Sequence, residues 1–168
     1  MSTLVKLALC LSVVLSGIVC TPVEKDGALG SAVHVTIEAV PDLAAFQRAH
    51  PELTIEPLMS RSETSPNDSS SRQQIVYTVG AHTSGERLVG LSSDSASWAT
   101  SQDVRLDLQY PTAGVGAVVT YVEVVVNQSS SQGKGYIVSG GIGQRFIRLV
   151  IEAYSTTYFT YTAAIYGF

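Results

Sequence analysis

The sequence predicts an all-β protein: a single small antiparallel β-sandwich or barrel of about seven strands over residues 75–168, preceded by a signal peptide and a partly disordered segment. Three observations carry this expectation. From Ile75 onward, short runs rich in Val, Ile, Tyr and Thr recur between clusters of Gly, Ser and Asn. Within the runs apolar residues alternate with period two and show no helical period. The only cysteines, Cys10 and Cys20, lie in the apolar stretch at the start, so stability must come from a packed core and not from disulfides.

The candidate strands are, in order, "QIVYTVG", "ERLVGLS", "DVRLDLQY", "AVVTYVEVVV", "GYIVSG", "QRFIRLVIEAY" and "TYFTYTAAIYG". The third alternates most cleanly, with Val104, Leu106, Leu108 and Tyr110 on one face and Arg105, Asp107 and Gln109 on the other. In the sixth, Ile147, Leu149, Ile151 and Ala153 face inward, while Arg148 and Glu152 face solvent. The last places Phe159, Tyr161, Ala163 and Ile165 inward. Glycines 140–143 and the stretch "QGKGY" at 132–136 read as a tight turn and a hairpin tip.

Before these strands, residues 1–20 have the order of a secretory signal: Lys6, then an apolar run from Leu7 to Val19, then an abrupt change at Thr21-Pro22. As a helix that run reaches about 20 Å, short of the roughly 30 Å that a membrane span must cross, so a cleaved leader and no membrane association afterwards are expected. Residues 21–74 read as a loosely ordered N-terminal segment and a Ser-rich linker, "SRSETSPNDSSSRQQ". Within that segment "AVHVTIEAV" has strand-like alternation, and "PDLAAFQRAH" has the look of one or two helical turns.

The chain has a net charge of −4, and neither half offers the basic field that phosphate backbones require, which disfavours direct nucleic-acid binding. The three histidines, His34, His50 and His82, have no ligand spacing, and no G-x-S-x-G occurs. "GGIGQR" at 140–145 precedes a strand pattern and lacks the following helix that a phosphate loop needs. No catalytic residue, metal ligand or cofactor is therefore expected. Asp103 and Asp107 read as a solvated strand face. Tyr154, Tyr158, Tyr161 and Tyr166 crowd the last two strands with Phe159, either as an adhesive aromatic surface or as cross-strand pairs. Two sequons, at Asn127 and Asn67, are candidate glycosylation sites for a chain that enters the secretory pathway.

The stretches "YTVGAHTSGERLVG" and "YPTAGVGAVVTYVEVVVNQSSSQGKGYIVSGGIGQRFIRLVIEAYSTTYFTYTAAIYGF" resemble the insect family named after multiprotein bridging factor 2, over about residues 75–168. The features carrying the resemblance are Gly85 to Leu88 with Glu86, Thr120-Tyr121-Val122, Asn127-Gln128, the Gly-rich segment 135–143 and Ile165-Tyr166-Gly167. The resemblance implies no catalytic residues and two contrasting roles. Many relatives are secreted, whereas the founding member is a transcriptional co-activator that bridges a DNA-bound factor and the basal machinery without binding DNA. With its leader, the chain is expected to be a secreted, extracellular, non-enzymatic β-domain that binds a protein or a small ligand. The alternative expectation is the intracellular bridging co-activator.

Overall fold

Two strands are too long for one flat layer, and the architecture follows from how the chain bends them. The computed structural model describes residues 32–53, 56–63 and 73–168. In it, β5 (Arg87–Tyr110) has 24 residues and β8 (Ile147–Gly167) has 21. At about 3.3 Å per residue, β5 drawn straight would span roughly 80 Å. Its two ends are instead neighbours. Gly90, near the start of β5, lies so close to Val33 that a Cβ would meet Val33 Cγ2 at 2.6 Å. Val33 leads into β1 (His34–Val40), whose His34 pairs with Gln109 at the other end of β5.

The remaining elements are helix α1 (Leu43–Ala49), a 3-10 turn (Pro51–Leu53), β2 (Glu56–Pro57), β3 (Met59–Glu63), β4 (Gln73–Gly80), β6 (Val119–Gln128) and β7 (Gly133–Gly140). All strand pairings are antiparallel and join into one eight-stranded sheet in the order β1-β5-β8-β6-β4-β3, with β7 on β8 and β2 on β7. β6 and β7 take the same edge of β8: β6 pairs with residues 159–167 and β7 with residues 147–153. Between them β8 turns a corner. There the β5–β8 register slips from Ser97↔Tyr158 to Gln102↔Thr156, leaving residues 98–101 of β5 opposite residue 157 alone, and Ser155 has a φ of 53°.

The fold is therefore one antiparallel sheet bent double, not closed into a barrel and not two separate sheets. The expectation of about seven strands is corrected at particular places. "ERLVGLS" and "DVRLDLQY" are the two ends of β5, the last two predicted strands are the two halves of β8, and β1, β2 and β3 add to the count. The predicted inward sets hold. Val104, Leu106, Leu108, Tyr110, Ile147, Leu149, Ile151 and Ala153 face Phe159, Tyr161, Ala163, Ile165, Val122, Val124 and Val126 across one buried core. Each large member contributes roughly 1.5 to 3 kcal/mol on burial.

The expectation that residues 21–74 are loosely ordered does not hold for 32–53 and 56–63. All seven residues of β1 pair with β5, and β3 pairs with β4 from Met59↔Thr78 to Glu63↔Gln74. Helix α1, capped by Asp42, whose carboxylate accepts from Ala45 N at 2.8 Å, covers the outer face of the sheet. It brings Phe46 and the neighbouring Leu53 onto Val138 and Val150. The signal-peptide expectation for 1–20 and the Ser-rich stretch 64–72, with Asn67, lie outside the described residues.

That cover explains why Glu152, predicted to be solvated, is 1% exposed. Its parity is outward, as expected, but α1 lies over that face. The Glu152 carboxylate accepts from Gln47 Nε2 on α1, from Tyr154 Oη at 2.8 Å and from Tyr136 Oη at 3.1 Å. Burial and the adjacent carboxylate push the Tyr136 phenol up to about 12. Nearby, Asp107 is held by Arg148 through two bonds of 2.9 and 2.7 Å and by Arg105, whose guanidinium carbon stands 4.6 Å over the Phe46 ring. Asp107 is thus a partner in an ion network, not a solvated residue. Asp103 accepts from Ser155 N at 2.8 Å and braces the corner.

Two outcomes follow for stability. Ile151→Ala is expected to cost about 2 to 5 kcal/mol as an emptied core site. Glu152→Ala, beside it on the opposite face, is expected to cost about 1 to 3 kcal/mol because three donors lose their acceptor. Chemical denaturation of both variants checks this, and a Glu152→Ala effect within the range of surface changes would remove the case for α1 as a cover.

Burial alone would raise the Asp107 carboxyl, but Arg148 and Arg105 outweigh it and hold the group below the usual carboxylate range. A depressed folded value contributes stability that is fully present above the unfolded value, near ~3.9, and is lost as pH falls through the folded value. Asp107→Asn should accordingly be less stable than the parent at neutral pH, with the difference shrinking as the pH drops below about 4. Thermal melts across that pH range test the sign.

Candidate interaction surface

The bend closes one end of the doubled sheet; at the other end the ends of β5 and β8 meet the connecting loops. Those loops are residues 81–86, 111–118 and 141–146, joined by the terminal Phe168. The 111–118 and 141–146 loops are tied to neighbouring strand ends and to Phe168 by hydrogen bonds. Val118 N donates to Phe168 O at 2.9 Å and Phe168 N to Val118 O at 3.1 Å; Gly143 N donates to Val119 O and Val119 N to Gln144 O, both at 2.8 Å. Thr112 N donates to Ala32 O at 3.0 Å, Ala117 N to Tyr110 Oη at 2.9 Å, and Arg145 Nη1 to Gly116 O at 3.1 Å. Gly116 is required there, since a Cβ would meet Arg145 O and the Tyr110 ring at 2.7 Å each. The result is a set of loops with fixed shapes.

On one side of this end sits an aromatic cluster. The His82 ring packs at a tilt of 44° against Tyr121 with centroids 4.1 Å apart and meets Tyr166 edge-on at 4.8 Å. Its Nδ1 lies in hydrogen-bond contact with the Glu86 carboxylate, which also accepts from the Thr120 hydroxyl. Burial alone raises the Glu86 carboxyl, but the bonds to Thr120 and His82 outweigh it and hold the group below its ordinary value. Tyr121 Oη donates to Glu123 at 3.1 Å, and partial burial, with that carboxylate, raises its phenol. In this arrangement the carboxylate stands between the hydroxyl and the imidazole. It fixes the ring in place.

On the other side, the 111–117 loop separates two clefts. The larger, of about 640 Å³, runs between that loop and the start of β5, with walls from Val89, Tyr110, Pro111 and Val115 and, among the described residues, one charged side chain, Arg87. The smaller, of about 410 Å³, has Phe146 and Pro111 in its lining and, among the described residues, Arg148 as its charged group. Val115 is 81% exposed, and Ile142, Phe146 and Phe168, elsewhere at this end, are 41 to 49% exposed. Four large apolar side chains standing in water at one end of a molecule mark a surface suited to binding.

The residues singled out from sequence are dispersed. The adhesive tyrosine face does not exist as a unit. Phe159 and Tyr161 are core residues, Tyr154 belongs to the Glu152 network, Tyr158 lies half-buried at the corner, and only Tyr166 joins a surface cluster. Asn127 is on β6 opposite Gln74 and Thr160, where its side chain accepts from Gln74 Nε2 at 3.4 Å. The other sequon residues are engaged too. Gln128 is fully buried, and Ser129 Oγ bonds Thr156 Oγ1 at 3.0 Å and accepts from Thr157 N at 2.8 Å. Gly140, Gly141 and Gly143 form the positive-φ turn before β8. Among the described residues no group of three His, Cys, Asp or Glu side chains converges as metal ligands would. Sequence reasoning missed His82, Arg87 and Val115 as surface elements. The one available signal was Glu86, four residues after His82 in a glycine turn.

Residues 79–167 match the family described as Transcription activator MBF2. The match covers more than half of the chain, and the chain belongs to this family. No curated protein and no solved structure matches it significantly. Membership corrects the expectation of a secreted, extracellular protein: a transcription activator family points to nuclear action inside the cell, and of the two roles implied by resemblance it favours the co-activator.

Proposed function

We propose, from its membership of the transcription activator MBF2 family, that this chain is a non-enzymatic co-activator. It acts by contacting a DNA-bound factor and a component of the basal transcription machinery, without binding DNA itself. The family match over residues 79–167 is the observation that carries the reading. Two physical features are in keeping with it. A net charge of −4, with six acidic against five basic residues over 75–168, gives no field for counter-ion release from a phosphate backbone. The open end of the sheet carries fixed loops with exposed apolar side chains, the kind of surface that protein contacts use.

The reading is tested by fusing the full chain to an unrelated DNA-binding domain and measuring transcripts from a reporter that carries the matching sites. Tethering should raise transcription above the DNA-binding domain alone, and the unfused chain should leave a naked duplex probe unshifted in a gel. A tethered chain that does not raise transcription, or an unfused chain that shifts the probe, would falsify the proposal.

A further inference from the structure

The open end also carries a charge pattern that specifies a kind of partner. Arg87 stands in the larger cleft with apolar walls on both sides, and Arg145 holds the back of the loop that forms one of those walls. Neither forms an ion pair among the described residues, whereas Arg105 and Arg148 are paired with Asp107. Among the described residues no carboxylate lines the larger cleft. The adjoining Glu86 is occupied by His82 and Thr120, and Asp107 by Arg148 and Arg105. The larger cleft is thus apolar and carries one cation with no ion-pair partner among the described residues.

We propose that the cleft between the 111–117 loop and the start of β5 is the docking site for an extended acidic segment of a partner protein, one that alternates carboxylates with large apolar side chains. A guanidinium offers a planar fork that a carboxylate matches with two bonds. A volume of about 640 Å³ is of the size that takes one or two large side chains. Val115, Val89 and Pro111 in its walls supply apolar contact for the residues on either side. Nucleic acid is a poor occupant, because a single arginine against apolar walls cannot track a backbone carrying one charge per ~1.7 Å. The proposal rests on the co-activator reading and specifies the chemistry of one of its two protein contacts.

The test uses the full chain and a fluorescein-labelled synthetic peptide in which Asp alternates with Phe and Leu, read by fluorescence anisotropy. Binding is expected at low salt and should weaken as salt is raised. It should fall roughly tenfold with Arg87→Glu and separately with Val115→Asp, and it should be absent for the same peptide with Lys in place of Asp. Both substituted side chains are exposed, and unchanged melting temperatures confirm that the variants are folded. Equal binding by the variants, equal binding of the Lys peptide, or no binding of the Asp peptide overturns the proposal. A dimer in solution that Val115→Asp dissociates overturns it in favour of a second copy. The tethered reporter separates the two levels. Variants that lack peptide binding yet activate fully refute the docking site alone, whereas a parent chain that never activates refutes the co-activator reading whatever the peptide does.

Discussion

The corner in β8 at Ser155–Thr156 is the constraint on which the rest of the structure depends. A sheet built on two strands of more than twenty residues gains a buried core only if its halves face each other, and the bend makes them do so. The corner is held by polar bonds rather than by bulk. Thr156, buried, donates to Tyr158 O at 2.6 Å and accepts from Ser129 N at 3.1 Å, while Ser130 Oγ donates to Tyr154 O. The buried Gln128 side chain donates to Ser130 O and Gln132 O at 3.0 and 2.9 Å. These bonds also explain how β6 and β7 can be consecutive without pairing. The 129–132 loop crosses the corner and delivers each strand to its own half of β8, so "QGKGY" begins a strand instead of tipping a hairpin.

Much of the core was legible because inward and outward parity is a local property. Val104 through Tyr110 and Ile147 through Ala153 alternate as read, since each strand faces one core. The continuity of β5 was not legible. Between Ser92 and Ser101 only Ala96 and Trp98 are half-buried apolar residues, and a stretch of Ser, Asp and Thr reads as a turn when the pairing that keeps residues 92–97 in the strand comes from β8, more than fifty positions away. Helix α1 was visible as a helix but not as a cover. Seven residues are marginal alone, and its anchors, Glu152 and Arg105, are distant in sequence.

The same asymmetry applies to the surface. Tyr121 and Tyr166 follow from outward parity, but the ring between them comes from a loop whose path no periodicity encodes. Arg87 reads as an ordinary strand-start charge, and its meaning depends on Val115 and Pro111 arriving beside it from the far end of the same strand. Sites made by chain ends that meet only after the sheet has doubled are, for that reason, invisible to a reading of neighbours.

Doubling a sheet also decides where a binding surface can lie. The bent end is sealed by the β8 corner and the crossing loop, and the outer face of one half is taken up by α1. At the open end, the last core layer has no further layer beyond it, so the loops that cap it must either bury their own apolar residues or expose them. Here Tyr110, Val119 and Ile147 close the core from within, and Val115, Ile142, Phe146 and Phe168 project past them into solvent. The loops bearing these side chains are bonded to strand ends and to the C-terminus, so little conformational freedom remains to be lost when a partner settles on them. An exposed apolar rim costs solubility, and fixing its loops limits the cost of using it. That combination suits the contact role proposed above, and it arises at the end that the bend leaves open.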